Sequence, residues 1–288
     1  MKRSRIVLGD NQYGKAETHV VHVSRQGWRH EVTDFNVSIS LSGDFATTYL
    51  EGDNSKVLPT DTQKNTVFAF AREAPPGQPE EFALRLARHF ARDVDAVARA
   101  RVHIEAVHWG HIRDQGFAFE RGHEKRLATV TCTKEAEWVV SGLTDLVLMK
   151  TSGSEFHGFP RDRYTTLEET HDRILATAVT ARWRWSESDV DWLEGWNAAR
   201  TALIKAFAAH HSLALQQTLF AMGEDVLVRQ PEIAEIRLSM PNKHHFTVDL
   251  APFGLTNDNE VFYASDRPYG LIEGTVTRDD AREPGLAW

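Results

Sequence analysis

The sequence predicts an α+β fold of two successive units, each an antiparallel sheet with its helices segregated to one face. Three observations predict it. Several stretches alternate apolar and polar residues with period two. Helical periodicity appears between them. The order strand-strand-helix-helix-strand-strand occurs twice, with the break near residue 135. The units are therefore residues 1–135 and 136–288. The halves share little residue-by-residue identity, so what repeats is element order rather than sequence.

The elements follow in order. The β-rich run Thr18–Arg25 leads through a turn containing Gly27 into the clearest alternation of the chain. Phe35, Val37, Ile39 and Leu41 share one face, and Asn36, Ser38, Ser40 and Ser42 the other. A strand buried on one side and wet on the other belongs to an antiparallel sheet, here as a hairpin. Residues 64–72 read as a helix. Pro75, Pro76 and Gly77 then punctuate a connector before a second helix that starts at Pro79-Glu80-Glu81. Proline suits a first helical turn, and acids suit its positive end. Phe82, Leu86 and Phe90 recur on one face of that helix, with Ala83 and Ala87 beside them. Strands follow at Arg101–His108 and Lys125–Thr133. The second unit opens with strands at Glu137–Met149 and Ala176–Trp185. Val190, Leu193, Ala199 and Leu203 mark one helix, and Ser212 is expected to cap another that runs to about Val228. The last strands are expected at Ile233–Met240, Phe246–Leu250, Val261–Ala264 and Gly270–Arg278. Open sheets of this kind leave unpaired edges, which favours an oligomer.

Composition narrows the function classes. The 288 residues are 41% apolar and 26% charged, ordinary for a globular protein and enough for two cores. No run of about 18 apolar residues occurs, so no membrane-spanning helix is expected. Only three apolar residues, Ile6 to Leu8, follow the basic start, too few for a signal-peptide core. The final Gly285-Leu-Ala-Trp288 is not a peroxisomal address, and the expected location is the cytoplasm. Cys132 is the single cysteine, which excludes an intramolecular disulfide and a multi-cysteine metal centre. A net charge of −8 without a long basic stripe sets the chain against nucleic-acid binding. Among the 14 histidines, His103 and His108 are an odd number of residues apart and face opposite sides of a strand. His244 and His245 are adjacent and diverge if extended, and no HExxH occurs, so no metal site is expected. The absence of GxGxxG, Walker and GxSxG motifs leaves dinucleotide, nucleoside-triphosphate and serine-hydrolase readings without support.

Four segments stand out chemically. Asn11–Lys15 is polar and glycine-containing, just ahead of the first strand, and Lys15 alone reads as a solvated lysine. Thr60–Asn65 follows a proline and precedes a helix, so Thr60 or Asp61 reads as its cap. Ser152–Arg161 is a loop carrying Phe156 and Phe159, and loops with aromatics tend to contact ligands. Pro241–His245 reads as a polar loop between two strands.

Together these segments resemble the urate oxidase (uricase) family. The matching runs are NQYGK (11–15), TDTQKNTVFAFA (60–71), TSGSEFHGFPRDRYTTLEETHDRILAT (151–177), SLALQQT (212–218), LSMPNKHHF (238–246), VDL (248–250) and DRPYGLIEGTV (266–276). They span nearly the whole chain in family order. The resemblance implies a tandem T-fold, that is, two ββααββ units. It also implies a homotetramer in which two chains close their sheets into a barrel and two barrels stack into a tunnel. Active sites then lie between subunits.

The site residues implied by the resemblance make physical sense. Phe156 is the shelf on which a flat purine stacks. Arg173 and Gln216 clamp opposite edges of urate, the guanidinium fork also stabilising the anion. Leu215 and Ile272 are apolar walls, which Leu167 extends, and the backbone N–H groups beside Leu215 and of Asp61 are further contacts. Lys15, Thr60 and His244 form a proton relay, in which a partly deprotonated lysine makes the threonine hydroxyl useful. Asn242 holds oxygen or water above the ring. Lys15 and Thr60 come from one subunit, and Phe156, Arg173, Gln216, Asn242 and His244 from its neighbour. The implied reaction converts urate, O2 and water to 5-hydroxyisourate and hydrogen peroxide without flavin, metal or other cofactor, O2 being a co-substrate. Leu215 stands where some family members carry valine. The alternatives are another T-fold enzyme acting on a purine or pterin, of cyclohydrolase or aldolase type, and a non-catalytic purine-binding protein. The first leaves PNKHHF unexplained, and the intact Lys15, Thr60 and His244 weigh against the second.

Overall fold

In the computed structural model, which describes residues 5–288, the strongest alternation of the sequence becomes β2 (Glu31–Gly43). Phe35, Val37, Ile39 and Leu41 are buried there, while Asn36, Ser38, Ser40 and Ser42 are wetter. The basic start over residues 1–4 lies outside the described residues. β2 pairs antiparallel with β1 (Tyr13–Ser24) across a turn in which Gly27 has φ 81°, and with β3 (Val97–His111). β3 pairs in turn with β4 (Phe119–Cys132), giving the order β1-β2-β3-β4. The chain divides into two compact units. One comprises the described residues up to Ser141 with Glu187–Trp192 and Glu283–Trp288, and the other Gly142–Ser186 with Leu193–Arg282.

Three helices lie between β2 and β3 of the first unit: α1 (Ala46–Glu51), α2 (Thr60–Glu73) and α3 (Pro79–Asp93). α1 was not legible in the sequence, because it buries no residue and so leaves no periodic apolar stripe. α3 starts as its sequence dictates. Pro79 occupies the first turn, and the Gln78 N–H donates to the Glu81 carboxylate at 3.0 Å. Phe82, Leu86 and Phe90 are fully buried, and the helix packs on β3 and β4. Each such side chain contributes about 1.5–3 kcal/mol of burial. α2 packs on β1. Neither Thr60 nor Asp61 caps it, contrary to the sequence reading. Pro59 holds the N-cap position with extended backbone (ψ 139°), and Thr60 and Asp61 fill the first helical positions.

A buried ion pair sits at the start of α3. Arg126 donates to Glu80 at 2.7 Å and also to Gln78 Oε1 and the Trp192 carbonyl, and the Ser141 hydroxyl donates to the other Glu80 oxygen. Burial pushes the Glu80 carboxyl up in pKa even against the neighbouring guanidinium. Removing one partner of such a pair strands a charge, so Arg126→Ala should cost about 3–5 kcal/mol in urea unfolding at neutral pH. The isolated Glu80, its folded pKa raised above the unfolded value, binds a proton more readily folded than unfolded. The loss should therefore shrink as pH falls. A loss that does not change with pH would contradict this account of the pair. Cys132 is fully buried, and burial pushes its thiol up to about 12, which keeps it protonated and unreactive.

The second unit carries β5 (Glu137–Lys150), β6 (Leu175–Trp185), α4 (Trp192–Ala209), α5 (Leu215–Arg229), β7 (Ile233–Thr247) and β8 (Phe262–Thr277), with the strands in that order and with the first residues of β5 and α4 in the first unit. α5 packs on β7 and β8. Gly223 permits this approach, since a Cβ there would stand 2.6 Å from a Val276 methyl. Two expectations are corrected. Pro241–His245 is not a loop but the middle of β7, where Asn242 pairs with Gly270 and His244 with Ser265 across a register shift. That irregularity accommodates a proline and polar side chains inside a strand. Ser212 does not cap α5, whose N-cap is Ala214. It is fully buried in a parallel bridge to Ser154 and accepts a hydrogen bond from the Thr218 hydroxyl at 2.7 Å. Among the described residues, no helix is long and apolar enough to cross a membrane. The fold is thus α+β, with eight antiparallel strands among the described residues and helices between them.

Candidate active site

The segment between β5 and β6 is laced rather than loose. Phe156 and Thr170 exchange backbone hydrogen bonds of 2.8 and 3.0 Å as an antiparallel bridge. The Glu155 N–H donates to the Ser212 carbonyl, the Ser212 N–H to that of Gly153, and the Arg173 N–H to that of Ser154. The Asp172 carboxylate accepts from the Gly153 N–H at 2.9 Å and from the Ser152 hydroxyl. This ribbon brings Phe156 and Arg173 together, with the guanidinium carbon 5.0 Å from the ring centroid. Phe159 stacks on Phe156 at 4.9 Å between centroids.

A cavity of about 860 Å³ opens in the second unit and is lined by Phe156, Leu167, Arg173, Leu215, Gln216, Asn242, His244 and Ile272. All of these were singled out from the sequence. The cavity also takes in Thr170, His245, Phe246 and Phe262, which were not. The Phe262 contribution follows from β8 pairing beside the register shift of β7, where Phe262 is the partner of Thr247. No local pattern announces that placement.

The cavity lining carries Glu168 and Asp172 as well as Arg173, and it holds an unsatisfied polar group. Arg173 Nε is buried and finds no hydrogen-bond partner. Burial lowers the Arg173 pKa below the usual guanidinium value. A guanidinium held out of water without a carboxylate is a site for an anion or a carbonyl edge. Leu215 and Gln216 fill the first two helical positions of α5, after Ala214 in extended conformation. The N–H groups of a first turn have no partner within the helix, and the helix dipole adds positive potential there. His244 is half-buried and stacks near Phe246, with centroids 5.7 Å apart. Burial first, then the charges of Arg173 and His245, lower its pKa from 6.5, so the imidazole is neutral at neutral pH.

Lys15, Thr60 and Asp61 lie in the first unit and do not line this cavity. They are positioned together there. Lys15 sits on β1 opposite Ile39, at a register shift that follows it, with Glu17 at φ 55°. Such irregularities re-aim a side chain. Gly14 makes the close approach possible, because a Cβ there would stand 1.9 Å from the Ile39 carbonyl oxygen. Tyr13, two residues before Lys15, donates its hydroxyl to the Leu58 carbonyl, two residues before Thr60, at 3.1 Å. The hydrogen bond from Lys64 is the main cause that lowers the Asp61 carboxyl, and the Lys15 charge contributes too, which places lysine and helix start within electrostatic reach. Thr60 and Asp61 occupy the first two positions of α2, as Leu215 and Gln216 do in α5. Each unit therefore presents a helix N-terminus beside its candidate residues.

Comparison with known proteins identifies the family. The uricase family profile matches residues 11–136 and 139–273. The chain is 51% identical to a uricase of Arthrobacter globiformis over 286 residues, covering 99% of this chain and 94% of that one. It is 38% identical to a uricase of Dictyostelium discoideum, covering 96% and 99%. The crystal structure of the Arthrobacter globiformis uricase superposes with a TM-score of 0.94 at 52% identity, over 97% of this chain and 98% of that one. With its T-fold architecture, near-complete coverage and these levels of identity, the chain belongs to the uricase family.

Proposed function

We propose that this urate oxidase converts urate, O2 and water to 5-hydroxyisourate and hydrogen peroxide without a cofactor, in the cavity that holds Phe156 and Arg173. The observation that carries the reading is the buried Arg173 Nε without a partner, 5.0 Å from an aromatic face. A flat anion stacked on Phe156 satisfies it. Gln216 offers a donor and an acceptor to the opposite edge of the ring, and Leu167, Leu215 and Ile272 close the apolar sides. The Leu215 and Asp61 N–H groups contribute helix-terminal donors to the same anion. Lys15 and Thr60 remove and return the proton, His244 is the third relay member, and Asn242 holds oxygen or water above the ring. Because urate itself is electron-rich, the protein has only to deprotonate it, stabilise the charge and place O2.

The two halves of this site lie in different units, and the proposal assigns them to neighbouring chains of a homotetramer. Two successive ββααββ units leave β1 and β8 as the ends of the strand order, and β8 exposes Tyr263, Tyr269 and Leu271. Those edges are what a barrel of two chains would cover. The single cysteine suits a reducing, cytoplasmic setting.

Chelator-treated, metal-free enzyme should consume urate with stoichiometric oxygen uptake and peroxide release. Turnover that vanishes with chelator and returns with a metal would overturn the cofactor-free reading. Tight urate binding without peroxide would overturn the catalytic one. His244 supplies a further check. Its depressed pKa keeps it neutral, so an acid limb of kcat/KM due to His244 should lie below pH 6.5 and disappear in His244→Asn. A limb above 6.5 that survives the substitution would remove His244 from the relay.

A further inference from the structure

We propose that Glu155, His157 and His171 form a binding site for a divalent transition cation of the zinc type, on the face of the ribbon opposite Phe156. Glu155 Oε2 lies 3.0 Å from His157 Nε2 and 3.4 Å from His171 Nδ1, and the donor atoms of all three residues lie within 4.8 Å of one another. Donors around a tetrahedral zinc at about 2.0–2.2 Å stand roughly 3.3 Å apart. One carboxylate oxygen with two imidazole nitrogens is a donor set that suits zinc, copper or nickel. His211 Nε2 meets the other carboxylate oxygen, Oε1, at 2.5 Å and fixes the orientation of the group, as partners of metal ligands commonly do. His157 and His171 are exposed, so an ion can enter from solvent with water completing its shell.

The backbone explains why these groups converge. Glu155 and His157 are two apart in an extended segment and so share a face, while Phe156 points to the other. The bridge between Phe156 and Thr170 sets His171 opposite Glu155. None of Glu155, His157, His171 or His211 lines the cavity. The ion would clamp residue 157 to residue 171 across the excursion that carries Leu167, and so hold Phe156 and Arg173 in register. Its role is to hold the ribbon, not to take part in the chemistry; this part of the inference rests on the proposed role of the cavity.

Zinc binding tests the site without reference to urate. Full-length protein stripped with chelator and desalted is titrated with zinc chloride by calorimetry, and cobalt is followed by its visible absorption. The expected result is one ion per chain with micromolar or tighter affinity. Glu155→Gln and His171→Ala should each weaken binding by about 100-fold or more, and His211→Ala by about tenfold. Wild-type circular dichroism confirms that each variant folds. Absence of stoichiometric binding, or binding that the Glu155→Gln, His157→Ala, His171→Ala triple variant retains, would overturn the site. Stripped and zinc-loaded protein should share one kcat at saturating urate and differ in KM, and zinc that binds but leaves the urate KM unchanged would overturn its role in holding the cavity.

Discussion

Lys15→Ala should lower kcat for urate by about 10²- to 10⁴-fold, the range that a positioned proton-transfer group supplies, while KM changes only a few-fold. The expectation rests on how the first unit presents this side chain. The register shift after Lys15 and the close approach at Gly14 aim it, and the Tyr13 hydroxyl ties its strand to the start of α2, where Thr60 sits. Thr60→Ala should fall in the same range. If the two residues act as one relay, the double variant will be little worse than either single variant. Additive losses in the double variant would mean that the pair does not work as a unit. Stopped-flow loss of urate absorbance gives kcat and KM for each variant.

Arg173→Ala should act on the other constant, raising the urate KM by about 10²-fold or more. Two charge-assisted hydrogen bonds contribute roughly 1.5–3 kcal/mol each, and about 1.4 kcal/mol is a factor of ten. The guanidinium is held in a cavity where its Nε has no protein partner, and in the proposed function the substrate is the partner it lacks. Arg173→Lys should recover only part of the loss, because an ammonium supplies charge without the planar fork. Near-wild-type kinetics for Arg173→Ala would remove it from the clamp.

The fold was legible wherever burial left a period. The alternation at Phe35–Leu41 and the Phe82, Leu86, Phe90 stripe both reappear as buried faces. It was illegible where the period was absent or punctuated. α1 buries nothing, and Pro241–His245 looked like a loop because proline and four polar residues interrupt the alternation of β7. The register shift that absorbs them is a property of pairing with β8, which no local pattern encodes. The same holds for the cavity. Phe156, Arg173, Gln216, Asn242 and His244 are scattered over 89 positions of sequence, and only the family resemblance could gather them before the structure did. The cluster at Glu155 was open to a local reading in part. Glu155-x-His157 has the spacing of two that puts both on one face, but His171 joins them only through the bridge between Phe156 and Thr170, which no local spacing marks.

The arrangement of the two half-sites is the centre of this account, and co-expression of Lys15→Ala chains with Arg173→Ala chains tests it most directly. At urate concentrations well below the raised KM of Arg173→Ala, each variant alone should be nearly inactive. In a random mixture of subunits, a site that joins the first unit of one chain to the second unit of its neighbour is intact whenever the Arg173→Ala chain supplies the former and the Lys15→Ala chain the latter. The account predicts recovery of about a quarter of wild-type activity at equal expression. If both halves of each site came from one chain, every site would carry one of the two lesions, and a mixture no more active than the separate variants would contradict the account.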